Sequence, residues 1–165
     1  MRNFVKIKRG ALTVRESDVT RLRRTLKRAG RLIFNPDAKR SQAALQRTDS
    51  LIVRLEAILS KMKLLHSRTM SNPVVLHSSA MCEQQQWHYD YNPDVTRTLR
   101  VKPLGVILAL QDGTKFETLT RTHELSRGDI LVFRGDVLHA GAAYEKENTR
   151  VHTYLDVPNV KRARN

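Results

Sequence analysis

The clearest indication of the fold comes from residues 128–157, which read GDILVFRGDVLHAGAAYEKENTRVHTYLDV. Gly-Asp pairs at 128–129 and 135–136 are typical of tight turns, and they bracket the apolar run ILVF at 130–133. A segment rich in β-branched and aromatic residues, Thr149–Val157, closes the stretch. Short apolar runs separated by turn residues predict β-strands that follow one another closely.

The same texture extends back to Ser71-Asn72-Pro73, with turn residues every 8–12 positions. Asp112-Gly113 predicts a hairpin between the third and fourth predicted strands. The strands predicted from the sequence are Val74–Ala80, Trp87–Tyr91, Leu104–Leu110, Lys115–Thr120, Ile130–Phe133, Val137–Ala140 and Thr149–Val157.

The N-terminal half has a helical period instead. An amphipathic stripe predicts a helix over Ser17–Ile33 with Ser17 as its N-cap, and a second helix is predicted between Gln42 and Leu65. Residues 35–41, NPDAKRS, predict a loop between them. The expected fold is therefore mainly β (α+β), a sandwich or small barrel braced by N-terminal helices. We expect a basic helical region at 1–72, a β core at 73–157 and a basic tail at 158–165.

Charge is distributed unevenly along the 165 residues, whose net charge is +14. Residues 1–70 contain 18 basic and 5 acidic side chains, whereas residues 71–157 contain 9 basic and 11 acidic ones. Such an excess attracts polyanions, so contact with nucleic acid through the basic N-terminal region is one hypothesis, and a solvated basic surface is the other.

Two classes of protein are disfavoured. There is no run of 18 apolar residues and no apolar segment near the N-terminus, so neither a membrane span nor a signal peptide is predicted, and an intracellular location, cytoplasmic or nuclear, is expected. Cys82 is the only cysteine, which excludes an internal disulfide and a zinc site built from several cysteines.

Chemistry is indicated by QQQWHYDYNPD at 84–94, where His88 and Asp90 stand two positions apart and would face the same side of an extended strand. His139 and, 11 residues later, Arg150 complete the pattern. Two imidazoles and one carboxylate suit non-haem iron(II), although zinc stays open. A fixed arginine would favour a dicarboxylate that also chelates iron, because the guanidinium binds a carboxylate through two parallel bonds.

His-x-Asp, a Gly-Asp turn with an apolar strand, a distal histidine and an arginine about ten residues on resemble the iron(II)/2-oxoglutarate-dependent dioxygenases. Arg150 is similar to the arginine of the phytanoyl-CoA dioxygenase type and the oxygen-sensing prolyl hydroxylases, and HYDY at 88–91 resembles prolyl hydroxylases generally. The resemblance covers about residues 74–157 and implies a double-stranded β-helix, a jelly-roll or cupin-like core.

The resemblance also implies roles for single residues. His88, Asp90 and His139 resemble the iron ligands, and Arg150 resembles the residue that binds the distal carboxylate of 2-oxoglutarate. The implied reaction uses dioxygen and 2-oxoglutarate and releases succinate and CO2 while the substrate is hydroxylated or demethylated. Ascorbate is an optional additional cofactor in this reaction. Because Asp90 fills the third ligand position, hydroxylation is favoured over the chlorination of the related halogenases.

Some features depart from that pattern. In several subfamilies a serine stands two residues after the arginine, and here His152 stands there with Tyr154 next on the same face. Either of them, or neither, would hydrogen-bond the carboxylate, and Tyr154 is the candidate for binding 2-oxoglutarate. Only 48 residues separate Asp90 from His139, which predicts a shallow, open site. Trp87 and Tyr89 are expected to face away from the metal and pack in the core. The rival hypotheses are a nucleic-acid-binding protein with a non-catalytic cupin-like domain and a zinc-bound cupin-like protein.

Overall fold

The computed structural model describes residues 4–29, 32–33 and 39–163. The helices are α1 Glu16–Arg28, α2 Ser50–Lys61 and the short α3 Pro93–Thr96. The strands are β1 Val5–Lys8, β2 Leu32–Ile33, β3 Arg40–Ala44, β4 Thr69–Ser78, β5 Leu104–Ala109, β6 Thr114–Thr118, β7 Arg121–Leu125, β8 Ile130–Arg134, β9 His139–Gly141 and β10 Asn148–Asp156.

The strands form two antiparallel sheets. The large sheet has the order β1-β8-β5-β10-β4-β3-β2, and the small sheet has the order β7-β6-β9. Strand β10 lies at the centre of the large sheet, between β4 and β5, and therefore has a partner along both edges. The prediction of a mainly β fold braced by N-terminal helices is confirmed.

Successive side chains of a strand point to opposite faces of the sheet, so the strands of the large sheet contribute apolar side chains to two layers, one on each face. On β5, Val106 and Leu108 belong to the core shared with the helices, whereas Ile107 and Ala109 face the small sheet. The layer between the sheets also contains aromatic and aliphatic side chains from the neighbouring strands: Phe116, Leu125, Leu131 and Phe133.

The two long helices cover the outer face of the large sheet. Leu22 of α1 and Leu51, Leu55 and Leu59 of α2 are fully buried in the shared core. This confirms that the predicted apolar stripes pack on a sheet. Within the described part of the chain, no helix is long and apolar enough to cross a membrane.

The beginning of α1 differs from the prediction. The N-cap is Arg15, not Ser17, and the helix starts at Glu16. The Asp18 side chain accepts a hydrogen bond from the backbone N–H of Arg15 at 3.0 Å, so the acidic residue of the first turn satisfies the N–H of the N-cap residue. Helix α2 follows the ordinary pattern, since Asp49 caps it by accepting from the N–H of Leu51.

The segment between the two helices is also corrected. The first helix ends at Arg28 rather than Ile33, and Ile33 belongs to β2. Arg40–Ala44, predicted as the end of a loop and the start of a helix, is strand β3, paired along its length with β4. Pairing with a distant strand outweighs the local preference here. Residues 35–38 of the predicted loop and 30–31 of the predicted helix lie outside the described residues.

The hairpin predicted at Asp112-Gly113 is wrong. The turn exists, with Gly113 in the left-handed region at φ 71°, but β5 belongs to the large sheet and β6 to the small one. It therefore transfers the chain between sheets instead of pairing its two flanking strands. Strands β1 and β7 were not predicted from the sequence, and β1 to β3 bring strands from the N-terminal region into the large sheet.

Candidate metal centre

Two histidines from distant parts of the chain meet through their backbones. His88 lies outside the named strands, and its N–H donates to the carbonyl of His139 at 2.9 Å while the N–H of His139 donates back at 3.0 Å. This antiparallel bridge places the two rings side by side, with centroids 4.4 Å apart. The turn at Gly135-Asp136 leads the chain from β8 into β9, and His139 is the first residue of β9.

Both imidazoles are oriented in the same way. His88 Nδ1 lies 2.9 Å from the carbonyl oxygen of Gln86, and His139 Nδ1 lies 2.8 Å from that of Val137. A carbonyl oxygen only accepts, so in each neutral ring Nδ1 carries the proton and Nε2 keeps its lone pair. A bond of this kind to the other nitrogen is the usual support of a metal-binding histidine.

Asp90 supplies a carboxylate to the same point. Its Oδ1 lies 3.8 Å from His139 Nε2, and its Oδ2 is buried without a hydrogen-bond partner among the described residues. Burial raises the pKa of Asp90 to about 7. An unpaired buried carboxylate oxygen is costly, and a cation at this point would remove the cost.

The three side chains fit a divalent cation. One possible ligand atom from each of His88, Asp90 and His139 lies within 4.8 Å of the other two. Burial and the neighbouring His88 lower the pKa of His139 to about 4, so its ring is neutral and able to ligate at pH 7. Two imidazoles and one carboxylate on one side of an ion leave other positions open for small molecules.

An aromatic wall surrounds His139. The Phe116 ring stacks on the imidazole with centroids 5.1 Å apart, and Phe133 meets it edge-on at 4.7 Å. The two phenyl rings also contact each other at 4.5 Å. Because Phe116 comes from the small sheet and Phe133 from the large one, the site depends on how the sheets pack.

Two arginines also line the cavity. Arg150 on β10 is almost completely buried, and its Nη1 donates to Ser78 Oγ at 3.1 Å. Arg40 on β3 donates to the same oxygen at 2.7 Å. Both arginines line the cavity that also contains His88, Asp90 and His139. The four residues singled out in the sequence thus open onto one cavity.

His152 and Tyr154 face that cavity from β10, at alternate positions after Arg150. Their rings meet edge-on with centroids 4.6 Å apart. Burial lowers the pKa of His152 to about 3, so this ring is neutral at pH 7, and burial together with Asp90 raises the pKa of Tyr154. Both side chains can therefore take part in hydrogen bonds without carrying charge.

The C-terminal segment returns to the site. The N–H of Ala163 donates to the carbonyl of Asp90 at 2.8 Å. The Arg162 guanidinium lies 4.1 Å from the centroid of the Tyr154 ring and pairs with Asp156 at 2.9 Å. Residues predicted only as a basic tail thus contact the backbone of Asp90 and the ring of Tyr154.

Sequence reasoning missed some contributors. Arg40, Ser78 and Arg162 belong to no recognisable motif. Arg40 and Ser78 meet through the pairing of distant strands, and the contacts of Arg162 with Asp156 and Tyr154 depend on how the C-terminal segment folds back. Phe133 stands in an apolar run and Phe116 in the alternating segment TKFET, and both segments resemble any buried strand. The prediction for Trp87 is wrong, since 42% of this residue is exposed, next to a His88 held by a single bridge rather than by a continuous strand.

Comparisons with known proteins identify the fold. No family model matches the sequence. No curated protein matches it either. Solved structures do match. A prolyl-4-hydroxylase from Pseudomonas putida has a TM-score of 0.72 at 12% identity, over 96% of this chain and 95% of its own.

Two further solved structures also match the fold. The viral collagen prolyl hydroxylase of Paramecium Bursaria Chlorella virus-1, solved with 2-oxoglutarate, has a TM-score of 0.66 at 15% identity, over 91% of this chain and 94% of its own. The α-ketoglutarate-dependent epimerase SnoN of nogalamycin biosynthesis has 0.71 at 15% identity, over 94% and 79%. The chain therefore has the double-stranded β-helix fold of the 2-oxoglutarate-dependent oxygenases.

Proposed function

We propose that the protein is an Fe(II)- and 2-oxoglutarate-dependent oxygenase that hydroxylates, or by hydroxylation demethylates, its substrate. The observation that carries the proposal is the meeting of His88, Asp90 and His139 within 4.8 Å in a cavity that Arg150 also lines. The fold matches support it, because one neighbour is named as a hydroxylase bound to 2-oxoglutarate and another as an α-ketoglutarate-dependent epimerase.

In this proposal His88, Asp90 and His139 hold the iron. When bound, Fe(II) would supply dioxygen activation coupled to the oxidation of 2-oxoglutarate to succinate and CO2. The chain contributes two imidazoles already oriented by carbonyls, and a carboxylate whose Oδ2 has no hydrogen-bond partner among the described residues. The ligand geometry would thus exist before the metal arrives, which lowers the cost of binding it.

Arg150 binds the far carboxylate of 2-oxoglutarate in the same proposal. Among the described residues it has one side-chain hydrogen bond, from Nη1 to Ser78, which leaves its remaining N–H groups for a ligand. Tyr154 is the candidate hydroxyl donor to that ligand, because it stays protonated and faces the cavity. The apolar rings of Phe116 and Phe133 keep bulk water away from His139.

Nucleic-acid binding has weaker support. Five arginines of the first 70 residues pair with carboxylates, so part of the N-terminal charge is already neutralised: Arg9, Arg21, Arg23, Arg47 and Arg54. None of the fold matches named above is described as binding nucleic acid. Polyanion contact by the remaining charges stays a prediction, which a steep fall of affinity with salt would test.

The test of the oxygenase is ligand binding and turnover. Anaerobic calorimetry should show one Fe(II) per wild-type chain, and tight binding of 2-oxoglutarate only when the metal is present. In air, the loaded protein should form succinate. His139→Ala should lose both bindings, and His66→Ala, which changes an exposed histidine far along the chain, should keep them. Equal metal binding by wild type and His139→Ala would overturn the proposal, as would a purified protein that binds zinc and ignores 2-oxoglutarate.

A further inference from the structure

Two arginines are buried side by side in the cavity. Arg40 and Arg150 are only 5% and 4% exposed, and both donate to the single oxygen of Ser78. Since each N–H···O bond spans about 3 Å, the bonding nitrogens lie within about 6 Å of each other. Two like charges at this separation repel each other strongly when water is excluded.

No carboxylate of the described residues neutralises either charge. Within the described residues, no carboxylate lies within ion-pair distance of Arg40 or Arg150. Burial and the charge of Arg150 lower the pKa of Arg40, and its Nε is buried without a partner. Buried cations are normally paired, and within the part of the chain that the structure describes these two have no anionic partner.

Arg40 cannot turn away from the pair. Its Nη2 donates to the carbonyl oxygens of Glu83 at 2.7 Å, Ala142 at 2.6 Å and Gly141 at 3.3 Å. These carbonyls hold the guanidinium in place, but they carry only partial charges and leave the positive charge largely uncompensated. Ser78 Oγ, which accepts from both arginines, has both lone pairs in use and ties their positions together.

We propose that Arg40 is a second positively charged group of the co-substrate pocket, which positions Arg150 through Ser78 and selects a keto acid with a distal carboxylate. This inference rests on the proposed function, in which Arg150 is the arginine that contacts that carboxylate. Arg40 is a positioning residue, because the structure places its guanidinium against Ser78 and backbone carbonyls. Its charge adds more to the attraction for a dianion, which has a second carboxylate in this pocket, than to that for a keto acid with one carboxylate.

The test compares two ligands on metal-loaded protein under anaerobic conditions. One is 2-oxoglutarate, and the other is 2-oxopentanoate, which has a methyl group where 2-oxoglutarate has its distal carboxylate. Wild type should prefer 2-oxoglutarate strongly. In Arg40→Gln that preference should fall by about tenfold or more, since a nearby unscreened charge is lost. Arg40→Lys, which keeps a positive charge, should retain most of it.

A structural role would produce a different result. If Arg40 only held strands together, Arg40→Gln would weaken both ligands equally and leave the preference unchanged, which would overturn this inference. Ser78→Ala should give a smaller loss of preference, because both charges remain while the bridge is removed. Melting temperatures check that each variant is folded. If Arg40→Gln is not folded, Ser78→Ala decides, and an unchanged preference in that variant would overturn the inference. If wild type binds neither ligand, the proposed function itself fails.

Discussion

Gly105→Ala should disturb the metal site from the far side of the aromatic wall. Gly105 lies in β5, and a Cβ built on it would come within 2.1, 2.4 and 2.8 Å of three atoms of the Phe133 ring. Carbon atoms in contact are normally 3.5–4.0 Å apart, so the ring has to move by more than about 1 Å. Phe133 is completely buried and touches His139 edge-on, so movement of the ring displaces the imidazole.

Overpacking of this kind costs about 1–3 kcal/mol of unfolding free energy. For a domain of this size each kcal/mol corresponds to about 2–4 °C, so we expect the melting temperature to fall by roughly 3–10 °C. The affinity for Mn(II) or Fe(II), measured by calorimetry, should fall as well, because His139 no longer aligns with His88 and Asp90.

A double-mutant cycle with Phe133→Leu separates the clash from other effects. Phe133→Leu alone should destabilise by less than the about 3–5 kcal/mol of a Phe→Ala change. Gly105→Ala should cost much less in the Phe133→Leu background, which corresponds to a coupling of about 1–2 kcal/mol. Additive effects, or a Gly105→Ala variant as stable as wild type, would show that the ring does not transmit the change.

Three further variants test the packing and charge arguments. On α2, Leu55→Ala should lower the unfolding free energy by about 2–5 kcal/mol, and Val53→Ala, at a half-exposed position of the same helix, by less than about 0.5 kcal/mol in urea titrations. Burial would raise the pKa of Asp18, but hydrogen bonds from three arginines outweigh it and lower the pKa below 3.8. The stability that this carboxylate contributes is therefore present above pH 4 and lost as the pH falls through the lowered value. Asp18→Asn should cost about 1–3 kcal/mol at pH 7, and the difference from wild type should shrink towards pH 2; a difference independent of pH would contradict this. Arg162→Ala removes a partly exposed ion pair and a cation–π contact with Tyr154, so stability should fall by about 1 kcal/mol. Metal binding should also weaken severalfold. Unchanged metal affinity would show that the C-terminal segment does not support the site.

Local patterns were sufficient where the structure depends on neighbours in the chain. The apolar stripes of α1 and α2 indicated helices because burial on one face repeats every 3.6 residues. The strands around 104–110, 130–133 and 149–157 were recognisable because alternation or continuous apolar character is itself a consequence of their burial. The turns at Gly128 and Gly135 followed from side-chain chemistry in the same way.

Patterns failed where pairing with a distant strand decides the conformation. Nothing in RSQAA, residues 40–44, indicates a strand. This segment becomes a strand because its backbone pairs with β4, about 30 residues later. The turn at Gly113 was recognised, but the sheets to which its two flanking strands belong were not, because sheet membership depends on partners elsewhere in the chain.

The chemical types of the candidate ligands were readable from the linear chain: a His-x-Asp pair, a later histidine and an arginine beyond it. That they share one cavity follows only from the folded structure, in which two backbone hydrogen bonds join His88 to His139. Arg40 could be found in no other way, since Ser78 and the carbonyls it binds lie 38 to 102 residues away. Residue chemistry is local, whereas the electrostatic field in a buried cavity is the sum over side chains that only the packed chain brings together.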